Sequence, residues 1–339
     1  MRVSFILIEF ILINIIIISD NSSLFHSTQN QKNNGICIYK QPYPLKPLTW
    51  DDPLFLYKFD SLTIQFKRAG KLLMVEANID GQLGNLIFDT GASGLVLNKT
   101  YFRDFIQSES TSPSGITGSL GKVYRTIVDS LKVNGLLYHN IKADLAELGH
   151  IENRRGVKVL GLFGFSLIRN FEIFIDIQNN ELKLMPIDKK GNRLNGSINN
   201  LKMDYTQEAK VENSILFVLG EIGGKSLRFC FDTGAEINVI SSSEQKKVLN
   251  TISITRRSKI GGADSSETEV LYGSMNDFSL GGNKLDNMQT IIANLSSLEE
   301  GYGVPFSGVL GYDLLEKGII CINLRKQQFG IRFTKAERI

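Results

Sequence analysis

Residues 78–92 read NIDGQLGNLIFDTGA, and residues 221–235 read EIGGKSLRFCFDTGA. The two stretches align without a gap at an offset of 143 residues, and both end in Asp-Thr-Gly-Ala. A second match follows at an offset of 147, where GLFGFSLI at residues 161–168 parallels GVLGYDLL at residues 308–315. A repeat this long with two copies predicts a duplicated lobe, not a solenoid of short units.

Strand signals dominate both halves. Apolar or alternating runs interrupted by the turn residues Asp80-Gly81 or Gly223-Gly224 lie at residues 72–78, 86–88, 95–97, 215–219, 227–231 and 239–240. Two further runs, residues 171–177 and 319–324, are rich in β-branched residues and predict one more strand in each half. Helix is expected only in short segments near residues 165–168, 312–316 and 243–249. The predicted class is therefore all-β.

The repeated Asp-Thr-Gly supplies the candidate catalytic residues. One such tripeptide is weak evidence, since its Asp often caps the backbone of an ordinary turn. Here Asp89 and Asp232 each follow one apolar strand and precede another, so each is delivered on a tight loop of a rigid sheet. Two carboxyls at hydrogen-bonding distance cannot both ionise, so one keeps a proton while the other acts as a base. Such a pair can activate a water molecule without a cofactor, and it titrates as a unit.

From about residue 60 to residue 335, the sequence resembles the pepsin and retropepsin superfamily of aspartic proteases. In that superfamily each Asp-Thr-Gly loop is followed by a hydrophobic-hydrophobic-Gly element that packs under it. The elements that match are Leu162-Phe163-Gly164 and Val309-Leu310-Gly311. The resemblance implies a two-lobed pepsin-like fold, in which each lobe is a retropepsin-like closed β-barrel or sandwich with short helices and the active site lies between the lobes.

The resemblance also assigns roles to the repeated loop. It implies that Asp89 and Asp232 are the catalytic pair of an aspartic endopeptidase, and that a peptide or protein binds between the lobes in an extended conformation. It implies that the hydroxyls of Thr90 and Thr233 reach across to the opposite loop, although each hydroxyl bonding its own turn would also fit. The glycines that follow, Gly91 and Gly234, are expected where two backbones approach closely. Because one chain supplies both lobes, a monomer with an internal pseudo-dimer is expected.

Two departures from the pepsin pattern favour the retropepsin branch. Ala92 and Ala235 stand where pepsins usually have Ser or Thr, and retropepsins have Ala. Glu236 matches the acidic residue of the retropepsin motif, while Ser93 takes that place in the first half. The chain is therefore interpreted as two fused retropepsin-like lobes of the bacterial type. Without the hydroxyl donors the ionised aspartates are less stabilised, which predicts a less acidic optimum than that of a gastric enzyme.

Glycine-rich segments between each Asp-Thr-Gly and its hydrophobic-hydrophobic-Gly element are candidate flaps over the substrate. In the first half, residues 112–126 contain Gly115 and Gly118, and in the second half residues 259–264 contain Gly261 and Gly262. Surface turns without a substrate role are the alternative.

The ends and the middle of the chain define the remaining segments. After Arg2, residues 5–18 are apolar apart from Glu9 and Asn14, which predicts a signal peptide or a membrane anchor over residues 1–20. The protein is therefore expected to be exported, as a periplasmic, secreted or outwardly tethered protein. The other predicted segments are a leader or linker at 21–55, an N-terminal lobe at 56–187, a connector at 188–212 that could also thread a strand, and a C-terminal lobe at 213–339.

Composition excludes several other classes. The 339 residues carry 38 basic and 35 acidic side chains that are well interspersed, so no basic stripe predicts a nucleic-acid partner. Three cysteines, Cys37, Cys230 and Cys321, and three histidines lack metal-binding spacings, so no metal site is predicted. Cys230 and Cys321 form either a disulfide or two buried thiols.

Two functions without catalysis compete with the protease. The first is a pepsin-like module that binds peptides or proteins without cutting them, and the second is a membrane-tethered envelope scaffold. The presence of both aspartates, both threonines and both glycines favours the hydrolase, because paired titratable groups in matched positions are typical of active sites.

Overall fold

The computed structural model describes residues 54–55, 60–105, 108–109, 114–115, 118–119, 124–194, 201–261 and 267–334. The predicted signal peptide or anchor, residues 1–20, lies outside these ranges, as does the predicted leader except for its last two residues. Within the described ranges, none of the helices has the length and apolar content needed to cross a bilayer.

Strands make up most of both lobes, as the all-β prediction expects. The first lobe contains β1 (Leu54–Phe55), β2 (Leu62–Gln65), β3 (Lys67–Ala69), β4 (Leu72–Ile79), β5 (Gln82–Phe88), β6 (Leu95–Asn98), β7 (Ser108–Glu109), β8 (Ser114–Gly115), β9 (Gly118–Ser119), β10 (Tyr124–Val133), β11 (Leu136–Ala146), β12 (Val159–Phe163), β13 (Phe171–Asp176) and β14 (Glu181–Pro186). The second lobe contains β15 (Tyr205–Glu208), β16 (Lys210–Glu212), β17 (Ile215–Ile222), β18 (Lys225–Phe231), β19 (Asn238–Ser241), β20 (Ile252–Gly261), β21 (Glu267–Met275), β22 (Phe278–Leu280), β23 (Asn283–Leu285), β24 (Met288–Ala293), β25 (Gly308–Leu310), β26 (Gly318–Asn323) and β27 (Gln328–Phe333).

Each lobe is built on the same order of strands. In the first lobe, β4-β5-β12-β6-β11-β10 are hydrogen-bonded in that order, and β10 pairs back onto β4 to close a barrel. In the second lobe, β17-β18-β25-β19-β24-β21 follow the same order. The central pairings match in direction as well, since β5–β12 and β18–β25 are parallel. The predicted duplication and the two-lobed fold class are therefore confirmed.

A third sheet joins the lobes. Its order is β15-β27-β26-β13-β14-β2, so three strands of the second half lie beside three strands of the first half in one layer. The β-branched runs expected at residues 171–177 and 319–324 form its centre as β13 and β26, which pair antiparallel. Four of their isoleucines, Ile173, Ile175, Ile320 and Ile322, belong to an apolar core that continues into both lobes. This sheet ties the lobes into one folded unit.

The hairpins that lead to the two Asp-Thr-Gly loops turn where expected. Asp80 and Gly81 have φ of 47° and 87°, and Gly223 and Gly224 have φ of 59° and 69°. Two consecutive residues with positive φ make the tight turn whose twist suits a two-residue hairpin, which explains Asp-Gly and Gly-Gly at these places.

The expectation that helix is confined to three segments is wrong. The expected segments are present as a 3₁₀ helix (Phe165–Ile168), α2 (Lys246–Leu249) and α4 (Tyr312–Leu315). Two more helices occur, α1 (Gly149–Arg155) and α3 (Ser296–Tyr302). Each has only seven residues, which is too short to show a helical period, and packing of buried side chains stabilises it. A glycine in the left-handed conformation, Gly156 or Gly303, ends each helix.

Two other predictions concern the connector and the cysteines. The predicted connector, residues 188–212, contains β15, which pairs with β27, and β16, which pairs with β17. Of the two alternatives for Cys230 and Cys321, a disulfide or two thiols, the structure has free thiols. Cys230 is buried and Cys321 is half-buried.

Candidate active site

The two halves of the repeat place Asp89 and Asp232 at equivalent ends of strands. Asp89 follows β5, and its backbone N–H donates to the carbonyl of Phe163 on β12 at 3.1 Å. Asp232 follows β18, and its N–H donates to the carbonyl of Leu310 on β25 at 3.0 Å. Both loops therefore leave the sheet at a point that is held by the neighbouring hydrophobic-hydrophobic-Gly strand.

Backbone N–H groups orient each carboxyl. Oδ1 of Asp89 accepts hydrogen bonds from Gly91 N at 2.8 Å and Ala92 N at 3.2 Å. Oδ1 of Asp232 accepts one from Gly234 N at 2.8 Å. The glycines that follow the aspartates thus present N–H groups to the carboxyls.

The threonines link the two loops across the lobe boundary. The hydroxyl of Thr90 donates to the carbonyl of Phe231 at 3.0 Å and accepts from Thr233 N at 3.1 Å. The hydroxyl of Thr233 donates to the carbonyl of Phe88 at 2.8 Å and accepts from Thr90 N at 3.0 Å. All four bonds are buried and lie between the lobes, so the hydroxyls reach across as the resemblance implies.

The two carboxyls of the dyad are buried and close together. Asp89 is 2% exposed and Asp232 is 1% exposed. Gly234 lies so close to the opposite loop that a Cβ there would be 2.8 Å from Cγ of Asp89. Burial raises the pKa of Asp89 well above its usual range, and the charge and hydrogen bond of Asp232 raise it further, against the opposing effect of the Gly91 and Ala92 N–H groups. The pair is thus arranged to share a proton.

The two hydrophobic-hydrophobic-Gly elements support the loops from below. Phe165 N, next to Gly164, donates to the carbonyl of Ala92 at 2.8 Å, and Tyr312 N, next to Gly311, donates to that of Ala235 at 2.9 Å. A Cβ on Gly164 would lie 2.6 Å from the Ala92 carbonyl oxygen, and one on Gly311 would lie 2.9 Å from the Ala235 Cβ. Glycine is needed at both places because the loop backbone occupies the space of a side chain.

The candidate flaps are described only in part. Gly115 and Gly118 lie in a small hairpin in which β8 pairs with β9, and β8 lies against α3 of the second lobe. The first-lobe segment therefore reaches across to the other lobe. Gly261 is the last residue of β20, and Gly262 lies outside the described residues.

Sequence reasoning missed a group of charged side chains where the lobes meet beside the second loop. Glu236, directly after Asp-Thr-Gly-Ala, forms an ion pair with Arg155 of α1 and accepts a hydrogen bond from Lys71 N at 3.2 Å. Asp313, two residues after Gly311, pairs with the Lys71 ammonium at 3.3 Å. These contacts join residues far apart in sequence, and only the charge difference between the two repeats, Ser93 against Glu236 and Ser166 against Asp313, pointed to them.

A protein-family comparison matches both lobes of the chain. The sequence profile of the family described as Aspartyl protease matches residues 75–167 and 218–314, one segment in each lobe. No curated protein sequence matches the chain. Among solved structures, the crystal structure of aspartic proteinase from Irpex lacteus matches with a TM-score of 0.48 and 13% identity, over 81% of this chain and 98% of that one.

Proposed function

The chain belongs to the aspartyl protease family, and on this premise we propose that it is an aspartic endopeptidase whose Asp89 and Asp232 activate a water molecule. The observation that supports this most is the buried carboxyl pair, in which the pKa of Asp89 is raised by burial and by Asp232. A pair that holds one proton between two carboxyls contains an acid and a base at the same place.

The proposed reaction follows from that shared proton. The ionised carboxyl takes a proton from water, and the water oxygen attacks the carbonyl carbon of the peptide. The protonated carboxyl donates its proton to the carbonyl oxygen, so the tetrahedral intermediate carries no net charge on that oxygen. As the intermediate collapses, the C–N bond breaks and the C=O bond re-forms. The protonated carboxyl gives its proton to the leaving amine nitrogen, and the ionised carboxyl takes a hydroxyl proton, so the dyad again holds one proton. The N–H groups of Gly91 and Gly234 keep the carboxyl planes in place throughout.

Substrate entry requires movement in this scheme. Because both carboxyls are almost fully buried, an extended peptide reaches them in this proposal only after part of the structure moves. The hairpin of β8 and β9 lies against α3 of the other lobe, and we assign it the role of a flap. The second segment, around Gly261 and Gly262, is its proposed counterpart.

Cleavage of a denatured protein mixture tests the proposal. Wild type is compared with Asp89→Asn and Asp232→Asn, each of which keeps an oxygen for the backbone N–H bond. Loss of acid–base catalysis is expected to lower the rate by about 10²- to 10⁴-fold. Asp60→Asn, at an exposed position, is the matched control and should cleave like wild type. Equal cleavage by wild type and both dyad variants would refute the dyad.

A wild-type protein that binds peptides but cuts none would favour the non-catalytic module. Export and the monomeric state stay predictions. Cell fractionation and sedimentation of the mature protein test them.

A further inference from the structure

Charged groups cluster on one side of the contact between the lobes. The first lobe contributes cations from two places, the β3–β4 hairpin and the end of α1: Arg68, Lys71 and Arg155. The second lobe contributes the acids Glu236 and Asp313, both at most 5% exposed, from the two segments that build its catalytic loop. We call this group the latch.

Glu236 is the most enclosed member of the latch. Its side chain pairs with the Arg155 guanidinium through Oε1 and accepts the Lys71 backbone N–H through Oε2. Gly70 is needed beside them, because a Cβ there would collide with the Arg155 guanidinium and lie 3.2 Å from Glu236 Oε2. Glu236 therefore fastens the loop of Asp232, four residues upstream, to two elements of the other lobe.

The neighbouring turn of the second lobe is held in the same way. The Arg68 guanidinium donates to the Tyr312 hydroxyl at 2.9 Å. The Lys71 ammonium lies 5.2 Å from the centre of the Tyr312 ring and 3.3 Å from Asp313 Oδ2. Since Tyr312 N also donates to the carbonyl of Ala235, these contacts bear on the same loop.

The positions equivalent to the latch in the other copy of the repeat are uncharged. At the equivalent positions, offset by 143 or 147 residues, the acids are replaced by Ser93 and Ser166. The three cations are replaced by neutral residues, which are Val211 for Arg68, Ser214 for Lys71 and Tyr302 for Arg155. The duplicated lobes are thus alike at the dyad and unlike at the latch.

Resting on the proposed function, we infer that Glu236 is a positioning residue, which through Arg155 and Lys71 fixes the loop of Asp232 in register with Asp89. The latch acts on the geometry of the dyad and does not touch the reacting atoms. Its one-sidedness means that the second loop, and not the first, depends on it.

The energetics separate this role from a purely structural one. Burial raises the pKa of Glu236 and of Asp313, and the cations Arg155 and Lys71 only partly oppose this, while Glu316 adds to the rise at Asp313. A buried ion pair of this kind adds little net stability, because the desolvation cost offsets the attraction. What it supplies is a defined position. Neutralising Glu236 removes the more buried of the two charges and leaves Arg155, whose side chain is 17% exposed, so we expect turnover to be impaired more than folding.

The test is Glu236→Gln, which keeps the shape and removes the charge. Loss of the charge should let the loop of Asp232 shift by up to about 1 Å. A misplacement of that size lowers a catalytic rate by on the order of 100-fold, so we expect kcat to fall about tenfold to 100-fold. KM should change by less than about twofold, and the thermal midpoint by only a few degrees. The matched control is Glu76→Gln, which breaks an exposed ion pair with Lys67 in the same hairpin and should leave kcat unchanged. A kcat for Glu236→Gln equal to that of the control would overturn the inference.

Substitution of the partner adds a rescue. Arg155→Lys keeps a cation near Glu236 and should retain most of kcat, whereas Arg155→Met should lose as much as Glu236→Gln. Equal losses in both Arg155 variants would show that packing matters and the charge does not, which contradicts the latch.

A readout without activity separates the latch from the proposed function. Arg155→Met leaves a buried carboxylate without its cation, so it should lower the thermal midpoint at pH 8, and adding Glu236→Gln should raise the midpoint again. Additive effects of the two substitutions would overturn the latch whatever the activity. If wild type and Asp232→Asn are equally inactive, the proposed function fails. The non-additive change in the thermal midpoint of the Arg155→Met and Glu236→Gln double variant then decides by itself whether the latch exists.

Discussion

Gly234→Ala places a methyl group against Asp89, the carboxyl that the other lobe contributes to the proposed dyad. The backbone at Gly234 is not left-handed, so alanine fits the local conformation, and the effect comes from the close approach alone. The added Cβ would lie 2.8 Å from Cγ and Oδ1 of Asp89 and 2.9 Å from Oδ2. Optimal contact between such atoms is about 3.5 Å or more, so the carboxyl must withdraw by at least about 0.5 Å.

The withdrawal sets the size of the expected effect. A misplacement of about 1 Å costs on the order of 100-fold in rate, so a shift of half that or more predicts a fall in kcat of about tenfold to 100-fold. This corresponds to about 1.4 to 2.7 kcal/mol of activation free energy. Overpacking should also lower the free energy of unfolding by about 1–3 kcal/mol.

The assay is steady-state cleavage of a peptide substrate, with thermal unfolding measured on the same samples. Gly149→Ala is the matched control, because it adds the same methyl group at the first residue of α1, where the nearest atom is the Thr100 hydroxyl at 3.3 Å. We expect the control to stay within about twofold of wild type. If Gly234→Ala turned over as fast as Gly149→Ala, the dyad would tolerate displacement and the reasoning would be wrong.

Three further predictions concern stability and pH. Thr90→Val and Thr233→Val each remove the partner of one buried N–H and one buried carbonyl, so each should lower the free energy of unfolding by about 2–5 kcal/mol. Because the bonds are reciprocal, the two losses should be equal. Denaturant unfolding measures them, and a large difference between the two variants would contradict the reciprocity. Burial raises the pKa of Asp144 from 3.8 to about 6. Because the folded-state pKa lies above the unfolded one, the contribution of Asp144 to the free energy of unfolding should fall by on the order of 2–3 kcal/mol as pH rises from 4 to 7. Asp144→Asn should remove this part of the fall, and a variant with the same pH dependence as wild type would refute it. Ala92 and Ala235 predict a less acidic optimum than that of a gastric enzyme, and a cleavage profile with its maximum below about pH 3 would reject that expectation.

The elements around the dyad were predictable because their signals are local. An apolar strand, a turn with Asp-Gly or Gly-Gly, a second strand and the Asp-Thr-Gly loop each occupy a few consecutive residues. Repetition of the same order in both halves then made the pairing of Asp89 with Asp232 an expectation from sequence alone. The cross-bonds of Thr90 and Thr233 followed from the resemblance and have the geometry it implies.

The features that escaped prediction depend on contacts between distant segments. α1 and α3 are too short for a hydrophobic period, and their one local signal was the closing glycine, Gly156 or Gly303. The runs that form β13 and β26 were identified as strands, but their pairing with each other across the lobes has no local signature. The latch is the extreme case, because its five charged residues come from four separate segments.

The contrast between the dyad and the latch has a physical cause. At the dyad each loop supplies both the donor and the acceptor for the other, so a change in Thr90 or Thr233 breaks bonds in both directions, and the two repeats stay alike. At the latch Glu236 faces Arg155 and Lys71, and the equivalent Ser93 has its own surroundings, so one side can change without the other.

A single chain is free to place charge on one side only, whereas two identical chains related by a two-fold axis would carry it on both. Charge on one side also makes the electrostatic surroundings of the two carboxyls unequal, which is the condition under which a shared proton has a preferred owner. A variant with Ser93→Glu and Tyr302→Arg adds the second ion pair and should therefore make the surroundings of the two carboxyls more equal. The measurement is the dependence of kcat/KM on pH. If both the acidic and the basic limb kept their wild-type pKa values, the link between the latch and the dyad would be contradicted.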